Sequence, residues 1–373
     1  MAVLCALAVV AAGGVAMFVS IAEPPFHPDP AAIPATAAAA PADGYAGAVN
    51  MSRRLARELL AAESLPGLSI AVARDGDIVW AEGFGFADRG RRATVTPRTR
   101  LRTGSVSKTM TAGAVALLVE RGRIDLDAPV QQYVPAYPHK QWALTTRHLL
   151  GDVGGVHRIR GDANDQMPRG RCRSVTEAVE TFAAEPLLFE PGTSYRFSTS
   201  GWILLSAVIE GAAKESFASF VSRELFAPLG MTRTALESTD NDADYGCFFG
   251  AGAFLSTPSD LVRFGSAMVV PRPSDTRARG LLKPKTIALF QTPLQLTSGA
   301  STGFALGWKV DRITIGGRQA PVVRHRATFI GGGASLSLLP QQDLVVAVLS
   351  SPAHTARMDP FVLQVAEAFA SIK

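Results

Sequence analysis

The chain has 373 residues, 47% hydrophobic and 18% charged, a balance that excludes a disordered polypeptide and predicts a globular body large enough for two lobes. Its formal charge is +5; residues 1–48 hold no Lys or Arg and three acids, so the remainder carries +8. That surplus favours an anionic substrate or surface. The absence of interleaved basic and aromatic residues excludes a nucleic-acid module, and the absence of Cys-x-x-Cys or His-Glu-x-x-His spacing leaves no metal or other cofactor to expect.

Residues 1–22 are uncharged and almost wholly apolar. As a helix rising about 1.5 Å per residue they just span a bilayer core of about 30 Å, so an N-terminal membrane anchor is expected. Ser20-Ile21-Ala22 places small residues where a signal peptidase cuts, which leaves a cleaved signal peptide as the alternative. In either case the body is expected to be exported. From 23 to 48 the composition turns to Pro and Ala, with prolines at 24, 25, 28, 30, 34 and 41. Such a tract favours extended polyproline conformations, and the expectation is a semi-rigid linker that holds the body off the membrane. Cys172 and Cys247 can pair in an oxidising compartment, although their spacing alone does not establish a bond.

The body is expected over residues 49–373. It opens with "MSRRLARELLAAES", whose apolar residues recur at helical spacing over Met51 to Ser64. "LSIAVARDGDIVWAEGFG" follows, two strand-like runs joined by Asp75-Gly76, a hairpin signal because both residues tolerate positive φ. Helical patterns dominate from Ser105 to about Leu225. Strand-like runs return in "FALGWKVDRITI", "PVVRHRAT", "ASLSLLP" and "DLVVAVLS", and a final helix is expected over about Pro360 to Ile372. The pattern predicts an α/β (α+β) fold. A sheet lobe comes from both chain ends (about 49–104 and 251–373), a mainly helical lobe is inserted between them (about 105–250), and the ligand cleft lies between the two.

"RLRTGSVSKTMTAG" places Ser105 and Lys108 three apart where extended residues turn into a helix, so the two side chains share a face. A serine hydroxyl is a weak nucleophile near neutral pH and needs an adjacent base, a role that a lysine amine can fill. The helix start adds unpaired N–H groups suited to a developing oxyanion. Four-residue patterns of common residues recur by chance, so the weight here comes from context: the preceding Gly104 and the hairpin upstream.

With those residues the chain resembles the serine β-lactamase-like hydrolases, the group of class C β-lactamases, D-alanyl-D-alanine carboxypeptidases and esterases. The likeness runs over about 50–370 through "PGLSIAVARDGDIVWAEGFGFAD" (66–88), "LRTGSVSKTMTA" (101–112), "GRIDLDAPVQQYVP" (122–135), "LTTRHLLGDVGG" (144–155), "EPGTSYRFSTSGWILLSAVIEG" (190–211), "PLGMTRT" (228–234), "GAFLSTPSDLVRF" (252–264), "FALGWKV" (304–310) and "HRATFIGGGASLSLLP" (325–340). The resemblance implies the β-lactamase/transpeptidase-like fold, an antiparallel sheet flanked by helices. It also implies an acyl-enzyme on Ser105 with Lys108 as partner.

Three departures bear on the chemistry. Where the family carries Tyr-x-Asn after a Pro-Gly, this chain reads Phe197-Ser198-Thr199 after Pro191-Gly192. Phe197 cannot carry a proton, so either Lys108 acts alone, or Tyr195 swings in, or the activity is lost; Thr199 still offers a hydroxyl. The family's Lys-Thr-Gly or His-x-Gly element, on the edge strand beside the nucleophile, appears as His325-Arg326-Ala327. By position the Thr328 backbone N–H then completes the oxyanion hole with that of Ser105, His325 contacts Lys108 or a substrate carboxylate, and the Ala327 methyl narrows the cleft. Asp152-Val153-Gly154-Gly155 stands where the family has His-Thr-Ser-Gly. Among weaker signals, Gly331-Gly332-Gly333 reads as a permissive hairpin, and Arg158, Arg160, Arg169, Arg171 and Arg173 form a basic loop that reads first as a solvated edge and would attract carboxylates if it bordered the cleft. The expected partner is a small-molecule or peptide substrate, and the activity that of an esterase or peptidase on a small acyl or D-amino-acid-like compound. A non-catalytic binding protein or a true β-lactamase are the alternatives.

Overall fold

In the computed structural model of the chain, the described residues are 25–372, apart from 89, 158–171, 238–246, 271–279, 330–331 and 352–356. The expected anchor or signal lies outside them. Among the described residues no helix is long and apolar enough to cross a membrane.

The frame is one antiparallel sheet of seven strands: β1 (Ala35–Ala37), β2 (Gly67–Arg74), β3 (Asp77–Gly85), β7 (Lys309–Ile315), β8 (Arg318–Phe329), β9 (Gly332–Leu339) and β10 (Leu344–Ser350). Their order is β1-β3-β2-β10-β9-β8-β7, so the two chain ends meet where β2 pairs with β10. The β2–β3 turn is the expected one, with Asp75 at φ 52 and Gly76 at φ 86. Central strands are apolar on both faces because both are covered. Ile70, Val72, Val346 and Val348 face a layer formed by α1 (Ala46–Ala62) and α9 (Met358–Ala370). Ala71, Ala73, Leu336, Leu338 and Ala347 face the larger core that continues into the helical lobe.

That lobe contains α2 (Ser107–Glu120), α3 (Thr146–Leu150), α4 (Val175–Glu180), α5 (Thr199–Ala213) and α6 (Phe217–Val221). The chain returns to the sheet through α7 (Pro258–Ala267), which packs on β2, β9 and β10, and α8 (Pro284–Gln291), which packs on α2. A second sheet of β4 (Leu101–Arg102), β6 (Phe254–Ser256) and β5 (Ala235–Leu236), in that order, ties the strand entering the nucleophile turn to the strand leaving the lobe. Cys172 and Cys247 are joined in a disulfide.

Two expectations change. The Pro/Ala-rich tract is not a free spacer from residue 25 onward. β1 pairs with β3, Ile33 is buried, and the His27 ring nitrogen Nε2 lies 2.9 Å from the Pro66 carbonyl. Prolines bar a helix but are tolerated on a sheet edge, where missing N–H donors face away from the ladder. The Pro34 carbonyl even accepts from Gly85 N–H. The second change concerns β8, expected at the sheet edge: β7 lies outside it, pairing from Arg318 to Arg324.

Candidate active site

The nucleophile turn is held from below. Thr103 N–H and Oγ1 both donate to the Phe254 carbonyl (2.9 and 3.0 Å), and Oγ1 lies 2.8 Å from Ser107 Oγ. Gly104 takes φ +47, and a Cβ there would come within 2.4 Å of the Phe329 ring, so only glycine lets β8 approach this closely. Ser105 follows on a 3₁₀ turn, Gly104–Val106, and is half-buried. Lys108, one turn on, is 1% exposed. Its Nζ donates to Ser105 Oγ at 3.1 Å and to the Ala251 carbonyl at 2.8 Å, and sits 4.7 Å from the centre of the Phe197 ring.

The Ala251 carbonyl had no signal in the sequence, because a backbone acceptor leaves no trace in residue type. It is presented by the 3₁₀ turn Phe249–Ala251, which Thr111 Oγ1 (donating to Gly250 O, 2.8 Å) and Ser206 Oγ (accepting from Gly250 N–H, 3.1 Å) fix from both sides. A Cβ on Gly250 would lie 2.4 Å from Thr111 Oγ1.

Phe197 and Tyr195 form the opposite wall, just ahead of α5. Ser198 caps that helix, accepting from Gly201 N–H. The segment is anchored to Asp152, whose Oδ1 accepts from Ser198 N–H and Trp202 Nε1 at 3.1 Å each, from a left-handed backbone at φ 53. Asp152 thus has a defined task in the stretch that stands where the family has His-Thr-Ser-Gly. Tyr195 stacks on Phe304, centroids 4.7 Å apart, and burial followed by the Asp152 charge pushes its phenol above the usual range. It is a wall residue. Thr199 is half-buried at the first position of α5.

β8 supplies the third side. Beyond Arg324 it is paired by β9 alone, and it packs against the 104–106 turn. His325 Nδ1 lies 3.0 Å from the Gly307 carbonyl, which can only accept; Nδ1 therefore carries the proton and Nε2 the lone pair. Burial first, then the Lys108 charge, hold this imidazole down at about 4 against a weaker opposing pull from the Gly307 carbonyl, so it is neutral near pH 7. Ala327 is buried; a Cβ on Gly104 would meet its methyl at 3.1 Å, so that methyl packs beneath the nucleophile turn. Thr328 is exposed opposite Gly333 of β9.

The cleft between these walls has a volume of about 270 Å³ and is lined by Asp152, Tyr195, Phe197, Phe304, His325 and Arg326, with Lys309, Arg324 and Asp359 at its outer end. There Arg324 bridges Asp359 (3.1 Å) and Asp311 (2.7 Å), Lys309 also reaches Asp311 (2.9 Å), and Arg326 approaches Asp359 at 3.6 Å. Burial alone would raise the Asp311 pKa, but the hydrogen bonds and charges of Arg324 and Lys309 win and lower it. Of the basic loop, Arg173 pairs with Glu177, while Arg158, Arg160, Arg169 and Arg171 lie outside the described residues, as does Gly331. Gly332 and Gly333 open β9 as hairpin residues opposite Phe329 and Thr328.

Known proteins resemble this chain in sequence or in fold. The mouse (Mus musculus) protein described as serine beta-lactamase-like protein LACTB, mitochondrial, is 26% identical over 83% of this chain and 76% of its own length. Two solved structures superpose with TM-scores of 0.70: EstCE1, described as a hydrolase with promiscuous acyltransferase activity (19% identical, 87% of this chain and 99% of that one), and a class C β-lactamase (17%, 88% and 97%). At those identities the structures speak for the fold. The profile of the Beta-lactamase family matches residues 52–367, spanning both lobes and every wall of the cleft, and the chain belongs to that serine β-lactamase-like family.

Proposed function

We propose that the protein is an exported serine hydrolase that acylates Ser105, with Lys108 as its base, and acts on esters or peptides rather than as an efficient β-lactamase. The observation that carries this reading is the 3.1 Å contact between Lys108 Nζ and Ser105 Oγ, beside the Phe197 ring that lines the cleft. In its neutral form the amine takes the serine proton as Oγ attacks the substrate carbonyl carbon, and returns it to the leaving alkoxide or amine as the tetrahedral intermediate collapses. Backbone N–H groups of Ser105 and Thr328 hold the oxyanion, and water then cleaves the acyl-enzyme. Neutral His325 presents a lone pair, and Arg326, with a 60% exposed side chain, can take a substrate carboxylate.

Phe197 sets the preference for substrate. Deacylation of a lactam-derived acyl group needs a well-placed base, and a phenyl ring supplies none. Export is supported by the Cys172–Cys247 disulfide, which suits an oxidising compartment, and by the apolar residues 1–22, read here as a membrane anchor.

A second reading, a binding protein that retains the fold without turnover, is favoured by the same ring: an aromatic face 4.7 Å from Nζ attracts a cation, and an ammonium is no base. Intact mass of the chain after exposure to a fluorophosphonate, and separately to a penicillin, decides between them, with Ser105→Ala as control. A stoichiometric adduct absent from the variant is expected; a folded protein that takes up neither probe would establish the binding reading.

A further inference from the structure

The N-terminal tract is fastened to the body almost as soon as it becomes polar. The apolar run ends at Ala22, and only Glu23, Pro24 and Pro25 separate it from Phe26. Four Cα steps at about 3.6 Å span at most about 14 Å. At Phe26 the chain is held. The Arg91 guanidinium lies over the Phe26 ring (4.6 Å) and the Phe86 ring (5.7 Å) and donates to the Phe26 carbonyl, His27 is buried against Pro66, and β1 then joins the sheet. A chain anchored through residues 1–22 therefore has no slack to lift this corner of the body away from a bilayer.

The connection that leaves Phe86 for β4, and carries Arg91, is basic. The connection over 87–100 contains five arginines and one aspartate, and Arg91, Arg92, Arg98 and Arg100 are exposed. Asp88, 3.8 Å from Arg92, offsets one of these charges, and Glu23 and Asp29 lie on the tract itself. The excess stays positive. With Phe26 at most about 14 Å of chain from the apolar run, under two Debye lengths of about 8 Å, exposed arginines that come to the surface are attracted to anionic headgroups.

We propose that this corner, built on the Phe26–Arg91–Phe86 stack and the arginines of the 87–100 connection, is a docking surface for the anionic bilayer that seats the domain directly on the membrane. The proposal rests on the anchor reading of residues 1–22. Its test uses the full chain with Cys5→Ala, which leaves the remaining native cysteines bonded to each other, and a fluorophore on Thr94→Cys, an exposed position beside Phe86. The chain is reconstituted into vesicles of zwitterionic lipid, with or without phosphatidylglycerol, doped with headgroup-spin-labelled lipid.

With the native tract the label loses most of its fluorescence in both lipids. With a 20-residue Gly/Ser insertion after Pro24, quenching persists in phosphatidylglycerol vesicles and disappears in zwitterionic ones, and Arg92→Glu with Arg98→Glu removes it from the former. An unquenched label on a chain whose intact mass includes residues 1–22 overturns the proposal and leaves the anchor reading standing. An intact mass lacking those residues removes the anchor reading, and the proposal with it. Loss of quenching from the inserted chain in both lipids overturns the electrostatic part.

Discussion

The two walls of the cleft are built by opposite means. On the nucleophile side, Thr103, Ser107, Lys108 and Thr111 each spend a side-chain hydrogen bond on fixing the turn or its carbonyl partner, and almost nothing is free to rotate. The facing wall is aromatic: Phe197 under the lysine amine and Tyr195 stacked on Phe304, steadied from behind by Asp152. A hydrogen-bonded wall positions a nucleophile to within a few tenths of an ångström, whereas an aromatic wall shapes and desolvates but moves no protons. The contrast places the Ser105–Lys108 contact on the rigid wall and a phenyl ring, which carries no proton, on the facing one.

Experiments can attack either wall. Lys108→Ala removes the base and should cost at least about 100-fold in ester turnover, measured as kcat/KM, because a positioned base is worth about 10² to 10⁴; an unchanged rate would move the base elsewhere. Phe197→Tyr restores a phenol to the aromatic wall and should raise penicillin turnover about tenfold, a conservative share of that same range. If deacylation stays as slow as before, the missing proton carrier is not what limits it.

Gly250→Ala tests the rigidity of the polar wall. The added methyl meets Thr111 Oγ1 at 2.4 Å and Ser206 Oγ at 2.8 Å. Overpacking of this kind should cost about 1–3 kcal/mol in denaturant unfolding and displace the Ala251 carbonyl from Lys108.

The last effect concerns pH. The folded-state pKa of His325, about 4, lies below the ordinary 6.5, so the unfolded chain binds the proton first. Stability from this group is complete above about pH 6.5 and is lost as pH falls from there towards 4, with no further loss below. The shift from 6.5 to about 4, at about 1.4 kcal/mol per unit, amounts to about 3 kcal/mol in all, and His325→Asn should flatten that part of the profile of thermal midpoint against pH.

Some elements were legible because their signal is local. The Asp75-Gly76 hairpin follows from φ preference, β9 from the alternation of serine with apolar residues, β10 from a continuous apolar run, and the Ser105–Lys108 pair from helical spacing. α1 starts five residues ahead of the expected Met51: Asn50 reads as a cap and Gly47 as a breaker, yet both lie inside the helix, whose true N-cap, Tyr45, makes no side-chain capping bond. The tract over 25–45 was misread for a different reason. Its prolines and alanines describe what it cannot form by itself, and the open edge of β3 that receives it exists only in the assembled sheet.

From its residues alone this protein's chain determined its family, its antiparallel sheet closed from both ends, the contact between Ser105 and Lys108, and the phenyl ring at Phe197, because each is a matter of residue type at short spacing. The tertiary structure decided the rest. The Ala251 carbonyl on Lys108, the Asp152 anchor, the placement of Tyr195 on Phe304, and the Cys172–Cys247 bond join residues far apart in the chain. No short-range pattern encodes such contacts, because they depend on where the backbone has been carried by everything packed between.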